Sequence, residues 1–207
     1  VNSGDKTMRL KSGQKPEKRL AHIWNEANCI ACGACVVACT STNHPEMMTR
    51  KEKGHGGLAS NIQAFETSNS AGQPQFFMNQ CQHCEDAPCV HTCPFGAVYY
   101  DTQGLVRLDE RLCIGCSYCV AACPYDVRWK HPDNGLPKKC MSDGCLELVA
   151  NGQKPACVTV CPANARDFGD LNDPDSSIAQ QLQTKKYRLL LEDKHTKPKY
   201  FIVTENA

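Results

Sequence analysis

"CIACGACVVACT", Cys29 to Thr40, places four cysteines at the spacing C-x2-C-x2-C-x3-C, and "CIGCSYCVAACP", Cys113 to Pro124, repeats the comb with nearly the same filler. The first comb is Cys29, Cys32, Cys35 and Cys39; the third in sequence order is Cys113, Cys116, Cys119 and Cys123. The remaining cysteines make two further groups, Cys81, Cys84, Cys89, Cys93 and Cys140, Cys145, Cys157, Cys161. These open more loosely but close alike, "APCVHTCP" against "PACVTVCP". The repeat is therefore one of pairs, group one with group four and group two with group three, the outer pair enclosing the inner.

Three chemistries could use sixteen cysteines. Disulfides fit an even count, but repeated C-x2-C at tight spacing favours several thiolates on one centre over long-loop bridges. Four structural zinc ions would also use every cysteine, yet zinc ribbons need two C-x2-C knuckles and no third cysteine two residues on. Iron–sulfur chemistry matches best: in the C-x2-C-x2-C-x3-C-P run of bacterial ferredoxins, three cysteines clasp one cube and the fourth ligates the other cluster. The proline is present as Pro94, Pro124 and Pro162; group one has Thr40 there instead, which leaves its four ligands intact. Four ligands for each of four centres predict four 4Fe-4S clusters.

The composition agrees. Removing the 16 cysteines from the 41% hydrophobic class leaves about a third of the 207-residue chain apolar, thin for a domain that must bury a core. Bound metal supplies the missing folding energy. A net charge of +1 carries no global signal for nucleic acid. No run approaches the roughly 20 apolar residues of a membrane helix, so no direct membrane span is expected. The sequence begins at Val1 rather than Met and reads as cut there; the residues present contain no secretory h-region.

The expected fold class is α+β: two nested bacterial-type two-cluster ferredoxin modules with surface insertions and a C-terminal extension. Residues 1–24 read as an N-terminal arm, basic at Lys6, Arg9, Lys11, Lys15, Lys18 and Arg19. Residues 25–39 and 140–170 form the outer module, and 81–139 the inner one. Residues 40–80 are a surface insert available to a partner, and 171–207 a helix and strand extension. "AVYYDTQGLVRLD" predicts a hairpin turning at Thr102-Gln103-Gly104. "VVACT" and "VAACP" predict short helices. "DPDSSIAQQLQT" predicts a helix capped near Asp173 or Asp175, and "KYRLLLED" with "KYFIVTE" a strand pair.

On the phrases "CQHCEDAPCVHTCPFGAV", "CIGCSYCVAACPYDVRWKHP" and "KPACVTVCPANARDFGDLNDP" the chain resembles the four-cluster iron–sulfur electron-transfer subunits of the DMSO reductase type. The resemblance spans roughly residues 25–175 and implies a ligand set for each cluster. Cluster one takes Cys29, Cys32, Cys35 and Cys161; cluster two takes Cys39, Cys140, Cys145 and Cys157. Cluster three takes Cys81, Cys84, Cys89 and Cys123; cluster four takes Cys93, Cys113, Cys116 and Cys119. It further implies a line of clusters, with cluster one facing a large molybdopterin (molybdenum or tungsten) catalytic subunit. Cluster four faces an NrfD-like or DmsC-like membrane anchor, or a cytochrome, that handles quinone. The chain is then a non-catalytic relay in anaerobic respiration. A complex on the periplasmic face of the membrane is expected, with the cytoplasmic face as the alternative. The rival readings are the same relay in a hydrogenase or an NrfD- or cytochrome-linked complex, and a zinc scaffold without redox role.

Cations near a cluster favour its reduced form, and Arg128 and Lys130 are candidates. His83, between Cys81 and Cys84, reads as a surface or supporting residue because the cysteine set is full, and His91 as packing. His44 and His55 read as solvated, and Trp129 as an interface or core aromatic. Ser41, Ser117 and Asp126 suggest no nucleophilic triad, and no G-x-G-x-x-G or P-loop motif is present.

Overall fold

The computed structural model describes residues 9–49, 60–68, 72 and 74–204; His55 lies outside them. Strand β1 (Leu20–Asn25) is followed by helix α1 (Ala34–Asn43) and the hairpin of β2 (Ile62–Ser68) and β3 (Pro74–Gln80). Helix α2 (Pro88–His91) leads into the hairpin of β4 (Val98–Tyr100) and β5 (Val106–Leu108). Helix α3 (Tyr118–Ala121), the two-residue strands β6 (Trp129–Lys130) and β7 (Pro137–Lys138), and helices α4 (Asp143–Ala150) and α5 (Ala156–Thr159) come next. Strand β8 (Arg166–Asp170), helix α6 (Ser177–Thr184) and strands β9 (Tyr187–Arg188) and β10 (Tyr200–Val203) complete it. This is the α+β architecture that the combs predict.

One four-stranded sheet, in the order β8-β1-β10-β9, organises the outer part of the molecule. β1 runs parallel to β10, pairing His22 with Tyr200 and Trp24 with Ile202, and antiparallel to β8. Side chains alternate across a strand. Ala21, Ile23, Phe201 and Val203 point one way and pack under Ile178 of α6. Trp24, Tyr200 and Ile202 point the other way, onto Cys35, Cys39 and Cys157. The stretch expected as an arm thus ends in the middle of a sheet, and Arg9 bridges to Asp101 before it.

The predicted hairpin forms as β4–β5, with Asp101 Oδ1 accepting the N–H groups of Gln103 at 3.0 Å and Leu105 at 2.8 Å. Gly104 takes φ +76°, and a Cβ there would lie 2.7 Å from the Lys18 carbonyl oxygen, so only glycine fits. The predicted C-terminal pair forms as β9–β10, with β9 only two residues long. The cap of α6 is Ser176, whose Oγ accepts from the Ala179 N–H at 3.3 Å, rather than either aspartate. The insert is half surface. β2 and β3 reach out to solvent at one end, but Ile62, Met78, Asn79 and Gln80 are buried at the other. His44, expected in solvent, is buried: its ring stacks edge-on against Trp129 and meets Asn61 Nδ2 at 3.2 Å.

Candidate iron–sulfur site

The combs share one local design. Ala31 and Gly33 in the first, and Gly115 and Ser117 in the third, occupy equivalent places and all have positive φ, between 54° and 74°. Each pair winds the loop around the space its cysteines enclose; for alanine and serine this backbone is strained and must be held by the surroundings. Each comb's last cysteine then leaves on a short helix. α2, α3 and α5 are four residues long and stop just before Cys93-Pro94, Cys123-Pro124 and Cys161-Pro162. Proline cannot sit in a helix interior, because it lacks the N–H and clashes with the preceding turn. Where Thr40 replaces it, α1 continues for ten residues to Asn43. The helices pack as α1 on α5 and α2 on α3, the nested pairing read from the repeat.

All sixteen cysteines are described, and two groups of four each line a cavity. Cys29, Cys32, Cys35 and Cys161 line one cavity with Trp24, Met78 and Arg166. Cys93, Cys113, Cys116 and Cys119 line another with Phe95, Ile114 and Tyr118. Burial pushes the Cys84 thiol up to about 12, with the neighbouring Cys81, Cys89 and Cys123 adding to the rise. Burial pushes Cys140 well above the ordinary thiol range, followed by the charges of Cys157, Cys81, Cys39 and Cys145. Cys157 rises to about 12, again chiefly by burial, and feels Cys39, Cys145 and Cys35. Charge on Cys35 also raises Cys157, charge on Cys81 raises Cys140, and charge on Cys89 raises Cys119.

Buried thiolates without compensation are costly. The donors aimed at them are the fit test for an iron–sulfur group. Trp24 Nε1, Arg166 Nη2 and both terminal nitrogens of Arg128 are buried with no hydrogen-bond partner among the described residues. Trp24 and Arg166 line the first cavity, where sulfurs would accept from them. Asn43 Nδ2 donates to Cys145 Sγ at 3.2 Å, and Asn43 Oδ1 accepts the Cys145 N–H at 3.0 Å. The Ala165 N–H donates to Cys161 Sγ at 3.3 Å. Among the described residues no three His, Cys, Asp or Glu side chains draw close enough to share one ion. The buried donors beside these sulfurs fit a group with several sulfur acceptors.

Of the two cations predicted to sit near a cluster, Arg128 is buried. Burial alone would lower it, but the thiolates of Cys89, Cys81 and Cys119 outweigh that and raise it. Lys130 is exposed. His83 is fully buried, its Nδ1 accepting the Val106 N–H at 3.1 Å, so it supports the loop from inside. His91 is exposed and pairs with Asp86 at 2.7 Å. Sequence reasoning missed Trp24, Asn43, Lys139 and Arg166, all buried or half-buried beside thiols. Their one signal is position: Lys139 directly precedes Cys140, and Asn43 lies one helical turn beyond Cys39.

Two family models, both described as a 4Fe-4S dicluster domain, match residues 28–97 and 73–171, and together they span all four combs. The uncharacterised ferredoxin-like protein YdhX of Escherichia coli K12 is 42% identical over 176 residues, 84% of this chain and 74% of that one. The thiosulfate reductase electron transfer subunit PhsB of Salmonella typhi is 46% identical over 155 residues, 74% and 77% of the two chains. The polysulfide reductase B subunit of Wolinella succinogenes is 39% identical over 191 residues, 90% and 94% of them. The two dicluster matches and the sixteen cysteines support four 4Fe-4S clusters. The chain therefore belongs to the family of iron–sulfur electron-transfer subunits of respiratory reductase complexes, which includes PhsB and the polysulfide reductase B subunit.

Proposed function

We propose that this chain is the wire between a molybdopterin catalytic subunit and a quinone-reactive membrane anchor, and that its sixteen thiols form four ligand sets in a line. The sets are Cys29, Cys32, Cys35, Cys161; Cys39, Cys140, Cys145, Cys157; Cys81, Cys84, Cys89, Cys123; and Cys93, Cys113, Cys116, Cys119. Bound clusters supply one-electron chemistry. The chain's own residues hold the sulfurs, exclude water from the two inner sets and donate hydrogen bonds that favour the reduced state. The outer module is then 25–39 with 140–170, and the inner one 81–139.

The observation that carries the reading is where the line reaches the surface. Of the sixteen cysteines only Cys32, in the first set, and Cys116, in the fourth, are exposed. Phe95, Leu112, Ile114 and Tyr118 are exposed around the fourth set, and Ile30 beside the first. Clustered exposed apolar side chains mark partner surfaces. A wire needs contact at both ends and insulation between them. Among the described residues no helix is long and apolar enough to cross a membrane, so membrane attachment runs through a partner. In this reading the catalytic partner meets the first set, the anchor meets the fourth, and the complex lies on the periplasmic face. The likeness to relatives named for thiosulfate and polysulfide reductases supports it.

Gentle solubilisation of native membranes, one affinity step on this chain, and metal and peptide analysis of the same sample test it. Molybdenum or tungsten with a large partner and a membrane subunit is the expected result. Iron with nickel, or with haem and no molybdenum or tungsten, moves the wire to a hydrogenase or cytochrome-linked complex and overturns the assignment of partners.

A further inference from the structure

Three side chains from three separate elements end on sulfurs of the second ligand set. Asn43 closes α1: its Nδ2 donates to the Cys145 Sγ at 3.2 Å and to the Cys39 carbonyl at 2.9 Å, with the Cys39 Sγ 3.7 Å away. Gln80 is the last residue of β3, and its Nε2 lies 3.8 Å from the Cys140 Sγ. His22 of β1 brings Nε2 to 3.7 Å from the same sulfur. Gln80 and His22 are 0% and 2% exposed. Sulfur is a large, weak acceptor, so its hydrogen bonds are long. Chemistry fixes the direction of each contact. Asn43 Oδ1 is taken by the Cys145 N–H at 3.0 Å, which turns the Asn43 amide nitrogen to the sulfurs. Arg166 has only donors, and its Nη1 reaches Gln80 Oε1 at 2.6 Å, which turns the Gln80 amide nitrogen to Cys140. An iron-bound thiolate can only accept, so His22 Nε2 carries the proton of the ring. Phe168 packs on the imidazole, ring centroids 4.6 Å apart.

We propose that Asn43, Gln80 and His22 are positioning residues for electron transfer, whose N–H groups on the sulfurs of Cys145 and Cys140 raise the electron affinity of the second cluster. The inference rests on the second ligand set given above. An added electron increases the negative charge on a cluster's sulfurs, so an N–H aimed at them stabilises the reduced form more than the oxidised one. The effect is larger where water is excluded, as it is around Gln80 and His22. Arg166 strengthens one of the three: by drawing on Gln80 Oε1 it polarises the amide and makes Nε2 the better donor. Each donor meets sulfurs of one set, so one station is tuned without moving the others. The cluster takes one electron from one neighbour and gives it to the next, and no proton moves.

The test is a redox titration of the cluster-loaded complex followed by electron paramagnetic resonance, with the second cluster's signal assigned by Cys145→Ser. Gln80→Met, His22→Phe and Asn43→Leu each remove a donor without adding charge. Each is expected to lower the electron affinity of the second cluster about tenfold, about 59 mV for a one-electron couple, while the other three midpoints stay within a third of that. His22→Gln supplies an N–H again and restores the midpoint. Where Gln80→Met or Asn43→Leu loses iron, Gln80→Glu or Asn43→Asp replaces it, each keeping the acceptor that Arg166 or the Cys145 N–H needs. Loss of iron in His22→Gln as well as His22→Phe assigns that ring to packing and overturns its role. Full iron with the second midpoint unmoved, or with all four moving together, overturns the proposal and leaves the ligand sets standing. A wild-type complex without about 16 irons in this chain overturns the ligand sets instead.

Discussion

Thr40→Pro would give the first comb the proline that the other three possess, and a sequence comparison alone makes it look harmless. The structure predicts the opposite. Residue 40 lies inside α1, which runs to Asn43. Proline there removes a helical N–H, clashes with the carbonyl one turn back and costs about 3 kcal/mol. The Thr40 hydroxyl bond to the Val36 carbonyl, at 3.2 Å, is lost as well. Unwinding the last turn also withdraws Asn43 from Cys145, leaving a backbone N–H and a sulfur without their partner, for about 1–2 kcal/mol more. The sum, about 5–6 kcal/mol, is a large fraction of the roughly 5–15 kcal/mol of an ordinary domain. Thr40→Val keeps the helix, loses the hydroxyl bond to the Val36 carbonyl and costs about 1 kcal/mol. Iron content and denaturant midpoint, measured anaerobically on both variants, decide. Thr40→Pro is expected to lose the second cluster, falling to about 12 irons per chain, and to unfold well before Thr40→Val. Full iron and a midpoint equal to that of Thr40→Val would refute the role given to the extended helix.

Gly144→Ala places a Cβ 2.1 Å from the Thr42 carbonyl oxygen, so α1 and α4 must separate; a loss of about 3 kcal/mol by denaturant midpoint, with loss of second-cluster iron, is expected. Cys32→Ser and Cys116→Ser, at the two exposed thiols, should each alter one terminal signal in the paramagnetic resonance spectrum and leave the other three. Asp167→Ala removes an acceptor shared by Lys154 at 2.6 Å, Ser177 at 2.6 Å and Gln181 at 2.8 Å, loosening α6 from the sheet by about 2 kcal/mol by denaturant midpoint. Trp129→Phe loses the bond from Nε1 to Asn61 Oδ1 at 2.9 Å and should lower stability by about 1 kcal/mol, with iron unchanged.

The combs were legible because cluster ligation imposes a spacing on the sequence itself, and the hairpin because its Asp-Thr-Gln-Gly turn needs a positive φ at Gly104. Strand β1 was not. Its six residues, Leu-Ala-His-Ile-Trp-Asn, are buried on both faces, so no polar and apolar alternation marks them. Its partners β8 and β10 lie far along the sequence, beyond any local signal. His44 looked like a solvated loop residue because its partners Asn61 and Trp129 come from two other segments. Arg128 was legible beside the third comb, but the burial of Lys139 and Arg166 comes from packing that no local signal in the sequence marks. Lys130, two residues from Arg128, faces solvent at the end of the short strand β6.

The central claim is that sixteen cysteines hold four iron–sulfur cubes in one chain. Iron, acid-labile sulfide and zinc, measured per chain on anaerobically purified material, address it most directly. About 16 irons and 16 sulfides without zinc are predicted. About four zinc ions and no sulfide would contradict the account at its foundation.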